Sequence, residues 1–145
     1  MTTANASARN KELAQAFHRR LWAEGDIGVV EELIAADATT HWGDSESNAV
    51  AAIRADVERY FTAFTDVHTS IDELVGEEDK VVLRWSTTGT HTGPYGKVSP
   101  TGRVVTMTGV DIYRLEGGRI VEVWSMWDAL AAYQQLGLVD PDVGP

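Results

Sequence analysis

Thr106 to Asp128 reads TMTGVDIYRLEGGRIVEVWSMWD, and the way this stretch folds decides the rest of the chain. Two runs rich in β-branched and aromatic residues flank Glu116-Gly117-Gly118, the pattern of a β-hairpin. Asp111 interrupts the first run between Val110 and Ile112, where strand interiors are normally depleted of Asp. What it faces depends on the turn. A two-residue Gly117-Gly118 loop would set Asp111 opposite Trp124. A Glu116-Gly117-Gly118 loop, with Gly118 left-handed, sets it opposite Val123 and sets Gly109 opposite Ser125. The second register suits a type I turn closed by a glycine bulge and is the one expected here. It places Val121, Val123, Ser125 and Trp127 on the face of Asp111 and Tyr113, and Ile112, Ile120, Glu122, Trp124 and Met126 on the other. Ser125 is then the diagonal neighbour of Asp111, and the missing side chain of Gly109 leaves room above the pair for a ligand.

At 145 residues the chain fits one domain spanning 1–145, with an ordered core expected from about 10 to 138. Such a domain buries about 70% of its unfolded surface. The absence of cysteine excludes disulfides and thiolate metal sites and fits a reducing cytoplasm, the expected location. Met1 to Asn10 is small and polar, and no apolar run has membrane length, so neither a leader nor a membrane partner is expected. Twelve basic residues against 22 acidic ones give a net charge of −10. That balance repels phosphate backbones and argues against nucleic acid as a partner.

Before the hairpin the period is helical. Leu13, Phe17 and Leu21 recur at four-residue spacing, predicting a helix that ends near Glu24-Gly25. Asp26 reads as the N-cap of a short second helix whose Val29, Val30, Leu33 and Ile34 face inward. Thr39 to Trp42 reads as a brief strand. Asp44, Ser45 and Ser47 offer caps for a third helix carrying Val50, Ile53, Val57, Phe61 and Phe64. From Val67 the period changes to that of strands: one to about Val75, a turn over Gly76 to Lys80, and another from Val81 to about His91. The turn-rich connection Gly93 to Gly102 has the composition of a flap beside a cavity. Asp128 caps a last helix, Ala129 to Gln135, closed by Gly137. Helices first and strands afterwards is an α+β order, with helices packed on one face of a curved antiparallel sheet.

Asp111 has two readings. It is either a carboxylate in an apolar cavity, with its pKa raised by desolvation and suited to moving a proton to or from carbon, or an aspartate tied to backbone amides or an Arg. His41 and His91 could each orient a ligand carbonyl near neutral pH, or sit at a strand end bonded to a neighbouring carbonyl. His18, beside Arg19, and His68 are assigned to the surface. No two histidines have ligand spacing and no thiol is present, so no metal is expected. Trp22, Tyr60, Phe61, Phe64, Trp85, Met107, Tyr113 and Trp127 line a pocket or fill a core. Trp124, Ile120 and Met126 fall on the outer sheet face and predict a homodimer interface there. No phosphate loop, spaced-glycine dinucleotide fingerprint or nucleophile elbow is found, which argues against nucleotide use and triad hydrolysis.

Gly89-Thr90-His91-Thr92-Gly93, Pro100-Thr101-Gly102, the strand Gly109 to Arg114 with Gly118-Arg119-Ile120-Val121-Glu122, and Trp127-Asp128 followed by Gln134-Gln135-Leu136-Gly137 together resemble the SnoaL-like polyketide cyclases. These are often labelled ester cyclases, within the nuclear transport factor 2 and ketosteroid isomerase superfamily. The resemblance runs from roughly Leu13 to Gly137. It implies a cone-shaped, curved antiparallel sheet with helices over its concave face, a deep apolar cavity, and commonly a dimer. Ring-closing members use a carboxylate to remove a proton from an activated carbon, without cofactor. The place of their catalytic aspartate falls on Ser125, and that of an assisting histidine on Asp111.

The resemblance therefore implies a small tailoring enzyme of secondary metabolism, doing cofactor-free acid/base chemistry on an apolar, polyketide-like carbonyl compound. Asp111 would carry the proton, His41 or His91 would stabilise enolate charge, and Ser125 and Tyr113 would bond ligand oxygens. Trp22, Phe61, Trp85, Met107 and Trp127 would form the walls. The alternative is a non-catalytic small-molecule binding protein that keeps the cavity and, with Ser125, has lost the base.

Overall fold

Gly117 and Gly118 both take left-handed conformations in the computed structural model, which describes residues 3–143, with φ of +57° and +80°. Two consecutive positive φ values make the two-residue hairpin turn whose twist matches its strands, so the loop holds two residues and not the three expected. It joins β5, Val104–Glu116, to β6, Arg119–Trp127. The extra residue sits one step further along: Leu115 pairs with Ile120 and Arg114 with Glu122, leaving Val121 as a bulge. The bulge sets the register. Asp111 faces Ser125, and Gly109 faces Trp127, two residues from the pairing expected with Val123. Val123, Ser125 and Trp127 still share the face of Asp111, but the bulge turns Ile120 inward, where it is 1% exposed.

Six strands form one sheet in the order β2-β1-β6-β5-β4-β3. β1 is Ile34–Trp42, β2 Ser45–Asn48, β3 Phe64–Glu77 and β4 Lys80–His91. β1 runs parallel to β6 and the other pairs are antiparallel. β3 is bulged between Thr65 and His68, where Asp66 takes φ 51°, and again between Ile71 and Glu73. Such bulges bend a long strand, which lets this edge curl over the helices.

The helices cover the concave face. α1, Thr3–His18, runs into a π-helical turn at Arg19–Ala23, and Ala14, Phe17, His18 and Leu21 form its buried stripe. α2, Val29–Leu33, has no side-chain cap, because the Asp26 carboxylate is held instead by Arg20 Nε and Nη2 at 3.0 and 2.8 Å. α3, Ala49–Ala63, is capped by Asn48, whose Oδ1 accepts from Ala51 N–H at 3.0 Å. The expected caps at Asp44, Ser45 and Ser47 do not form, since Ser45 to Asn48 pairs with β1 as a strand. Phe64 opens β3 rather than ending α3. Asp128 caps α4, Ala129–Gln135, as expected, accepting from Ala131 N–H at 2.9 Å. Among the described residues no helix is long and apolar enough to cross a membrane.

The core divides into two clusters. One joins Phe17, Leu21, Val29, Val30 and Val57 to Leu83, Tyr113, Leu115, Ile120 and Val123. The other joins Tyr60, Ala63 and Phe64 to Val105, Met107, Ala132 and Leu136. Trp22, Phe61 and Trp85 pack against both clusters while keeping partial exposure. These three aromatic side chains form the seam between the two clusters.

Candidate active site

Asp111 lies on the inner face in the middle of β5 and is 8% exposed. Tyr113, two residues along the same face, donates its hydroxyl to Asp111 Oδ2 at 3.1 Å. Ser125 stands directly opposite on β6. Burial pushes the carboxyl pKa up to about 6; hydrogen bonding from the Ser125 hydroxyl, the Tyr113 hydroxyl and the Trp85 indole, in that order, works against the rise. No ion pair involves Asp111 among the described residues, and its shift has no contribution from a cation. A carboxylate tied to an Arg would have its pKa lowered. The Asp111 carboxyl is thus desolvated and held by neighbouring side-chain donors rather than by an Arg.

Trp85 reaches Asp111 because Gly109 lets it. Trp85 and Gly109 are cross-strand partners on the inner face. A Cβ on Gly109 would stand 2.4 Å from Trp85 Cζ2 and 2.7 Å from the Met126 carbonyl oxygen. The space expected above Gly109 for a ligand is therefore occupied by the indole ring. Trp85 Nε1 is buried and closes no hydrogen bond of ordinary geometry.

Two histidines expected beside Asp111 are elsewhere. His41 pairs with Trp124 across the β1–β6 ladder, and so points to the outer face. There its ring stacks on Trp124 at 5.2 Å and Nε2 meets Glu122 Oε2 at 2.7 Å. His41 and, after it, Arg114 hold the Glu122 carboxyl below its usual range. His91 does face inward, but Leu83 is the partner of Asp111, and eight residues of strand at about 3.3 Å each separate Leu83 from His91. His91 Nδ1 accepts from Thr101 N–H at 3.1 Å, with Thr101 Oγ1 at 3.0 Å. Neutral His91 therefore carries its proton on Nε2, which is buried without a partner. Neither histidine is placed to meet charge developing beside Asp111.

Tyr113 is also corrected. Its hydroxyl proton is committed to Asp111 and the side chain is 2% exposed, so it orients the carboxylate rather than bonding a ligand oxygen. Trp22, Phe61 and Trp85 do converge at the seam. Met107 is 6% exposed within the second cluster, and half-buried Trp127 packs edge-on to Tyr133 at 6.0 Å. The connection after β4 is pinned rather than free as a flap would be: Tyr95 packs on Phe64 at 5.6 Å, Arg59 lies over its ring, and Gly102 N–H donates to His91 O at 2.8 Å.

His18, assigned to the surface from its charged neighbour, is 2% exposed. Its Nε2 lies 3.3 Å from Thr69 Oγ1, which in turn lies 2.8 Å from Thr87 Oγ1. Burial pulls its pKa down to about 4. The signal was in the spacing: Ala14, Phe17, His18 and Leu21 are one helical stripe. His68 is exposed as expected, 3.1 Å from Asp66. Tyr60 Oη is buried without a partner beside Gly89. A depression of about 400 Å³ is lined by Arg84, Trp85, Ser86, Thr108, Gly109, Val110, Met126, Trp127 and Asp128, and Asp111 is not part of its lining. Among the described residues no three His, Asp or Glu side chains gather as a metal would require.

The SnoaL-like polyketide cyclase family model matches residues 12–136. Among solved structures, AclR of Streptomyces galilaeus, provisionally described as a hydroxylase, is 28% identical over 95% of this chain and 86% of that chain, with a TM-score of 0.86. A provisional polyketide cyclase of Acidithiobacillus ferrooxidans is 31% identical over 89% of this chain and 94% of that one, with a TM-score of 0.76. IdmH of Streptomyces antibioticus, likewise described provisionally as a polyketide cyclase, is 28% identical over 88% and 98%, with a TM-score of 0.71. No curated protein matches.

Proposed function

Because the chain belongs to the SnoaL-like polyketide cyclase family, we propose that it is a tailoring enzyme of secondary metabolism using Asp111 as a proton carrier, without cofactor, on an apolar carbonyl compound. The observation that carries this is a buried carboxylate, free of any ion pair, whose pKa stands at about 6 beside the aromatic seam. At that value the group is ionised at neutral pH yet a stronger base than an exposed aspartate, as proton abstraction from carbon requires. Serine cannot serve as that base. The register supplies the replacement: the residue directly across from Ser125 is Asp111, and facing side chains of an antiparallel pair stand about 5 Å apart. In this reading the base stands one strand over from the family's position, facing the same side of the sheet.

In this reading Asp111 takes the α-proton of a ketone bound against Trp22, Phe61 and Trp85, and returns it to the same carbon, to another, or after ring closure. Tyr113 holds the carboxylate in place, and Ser125 contributes a hydroxyl at the exposed side of the pair. Asp111→Asn should lower turnover by at least a hundredfold while circular dichroism shows an intact fold; near-normal turnover removes Asp111 from the mechanism. Ser125 also favours a second reading, a non-catalytic binder. A binder returns its ketone with no α-deuterium gained from heavy water, and binds it equally well in Asp111→Asn. We place the chain in the cytoplasm, as the absence of cysteine suggests.

A further inference from the structure

We propose that the indole Nε1–H of Trp85 is the donor that holds the developing enolate oxygen, so that Asp111 and Trp85 act as a base and donor pair on a flat, apolar ketone bearing an α-hydrogen. The inference rests on the reading of Asp111 as proton carrier and adds the group that reading lacks. Proton abstraction leaves negative charge on the carbonyl oxygen, and a donor must meet it. The two histidines that sequence suggests cannot: His41 is on the outer face, and His91 is eight residues away along β4. Three donors surround Asp111. Tyr113 commits its hydroxyl proton to Oδ2, and Ser125 is drawn to the same carboxylate. The Trp85 indole also leans toward the carboxylate, but its Nε1–H is buried and closes no hydrogen bond of ordinary geometry.

A buried donor that closes no well-formed hydrogen bond is costly and rarely kept without a use. Here its position is also enforced. The ring rests on Gly109, where a Cβ would come within 2.4 Å of it, and it touches both core clusters. A donor fixed before the reaction costs no reorganisation when charge appears. The step balances within these groups. The Asp111 carboxylate takes the α-proton, the C–H electron pair becomes the C=C bond, and the carbonyl π pair becomes the oxygen lone pair that Nε1–H holds. Reprotonation at carbon reverses it, and in heavy water it leaves deuterium behind.

The test uses the full chain and 2-tetralone, a flat ketone with acidic α-hydrogens, following deuterium uptake by mass spectrometry. Trp85→Phe keeps an aromatic side chain and removes the N–H together with the five-membered ring of the indole, so its melting temperature is measured beside its exchange rate. We expect its exchange kcat to fall about a hundredfold, with KM changed less than threefold; the pH midpoint of kcat/KM should move up, because the indole favours the ionised carboxyl, so the fall is read on the plateau above the midpoint. Unchanged kcat overturns the proposal, as does an unchanged plateau with a displaced midpoint, which would mean that Trp85 acts only through Asp111. Exchange that persists in Asp111→Asn overturns the parent reading instead. In the wild-type chain, 2-naphthol, which mimics the enol, should shift the Trp85 indole ¹⁵N–¹H resonance on binding. An unmoved resonance with naphthol bound, or no naphthol binding, overturns the proposal independently of how the variant folds.

Discussion

Asp111 and His18 are both buried titratable residues, and they pull stability in opposite directions. Asp111 titrates near 6 in the folded chain and near 3.9 unfolded. Between those values the folded state holds the proton and the unfolded state does not, so stability falls as pH rises from about 4 to about 6, by about 3 kcal/mol in all. His18 titrates near 4 folded and near 6.5 unfolded. The unfolded state then holds the extra proton, and stability falls as pH drops from about 6.5 to about 4, by a similar amount. The two slopes cancel through most of that window. Removing either one exposes the other. Asp111→Asn should melt roughly 5–10 °C above wild type at pH 7.5 and level with it at pH 4, whereas His18→Gln should gain stability relative to wild type on acidification. Melting curves at a series of pH values check both, since the many surface carboxylates give all three chains one background. Tyr113→Phe removes a hydrogen bond that favours the ionised carboxyl, so the pH midpoint of kcat/KM should move up, with activity lost at pH 6 and recovered toward pH 8. Asp111 was legible in sequence as a charged misfit in a strand. His18 was equally legible from its spacing, but its neighbour Arg19 drew it to the surface.

The hairpin turn shows where pattern stops deciding structure. Two adjacent glycines satisfy either a two-residue or a three-residue loop, and composition cannot choose between them. The twist of the sheet chooses the former, and Val121 absorbs the mismatch as a bulge. Alternation still identified the inner face at Val123, Ser125 and Trp127, because a bulge shifts the register only on its turn side. Ile120, on that side, was placed outside and lies inside. Thr39 to Trp42 was legible as a strand, but the first half of β1 escaped for another reason. Ala35, Ala36, Asp37 and Ala38 have little strand propensity, and pairing with β2 and β6 makes them a strand. Deleting Val121 offers a direct test of the bulge. Without it the Leu115–Ile120 and Arg114–Glu122 pairs become consecutive rungs of a regular ladder, so Ile120, 1% exposed, stays inside. The stability lost should stay under about 1 kcal/mol in urea denaturation, whereas a loss on the scale of a core side chain, about 2–4 kcal/mol, would mean that the packing needs the twist of the bulge. Leu21→Ala, at 0% exposure in the π-helical turn, is expected to cost about 2–4 kcal/mol through the cavity it leaves, with an unchanged hairpin.

At the scale of the molecule, the sheet separates an inner face that carries Asp111 and Trp85 from an outer face with an apolar row. Following the registers across four ladders, Val75, Val82, Ile112, Trp124 and His41 lie in one row, and Met126, 73% exposed, stands next to it. Ion pairs flank the row: Arg84 with Glu73 at 2.9 Å on one side, and Arg114 with Glu122 at 3.0 Å on the other. An apolar strip bordered by charge has the anatomy of an interface. The expected occupant is a second copy of the chain, because a two-fold axis would set each strip against itself and close the assembly. Ile120 takes no part in this surface, being inside. Sedimentation at micromolar concentration should therefore show a dimer, and Met126→Lys, which places two like charges near the axis, should give a monomer. A wild-type chain that sediments as a monomer would remove the interface. Since Asp111 and Trp85 face away from the strip, the monomeric variant should keep its kcat/KM within about threefold, provided that its melting temperature shows the sheet intact. A monomer that is folded but inactive would mean instead that the hollow takes its shape from the partner.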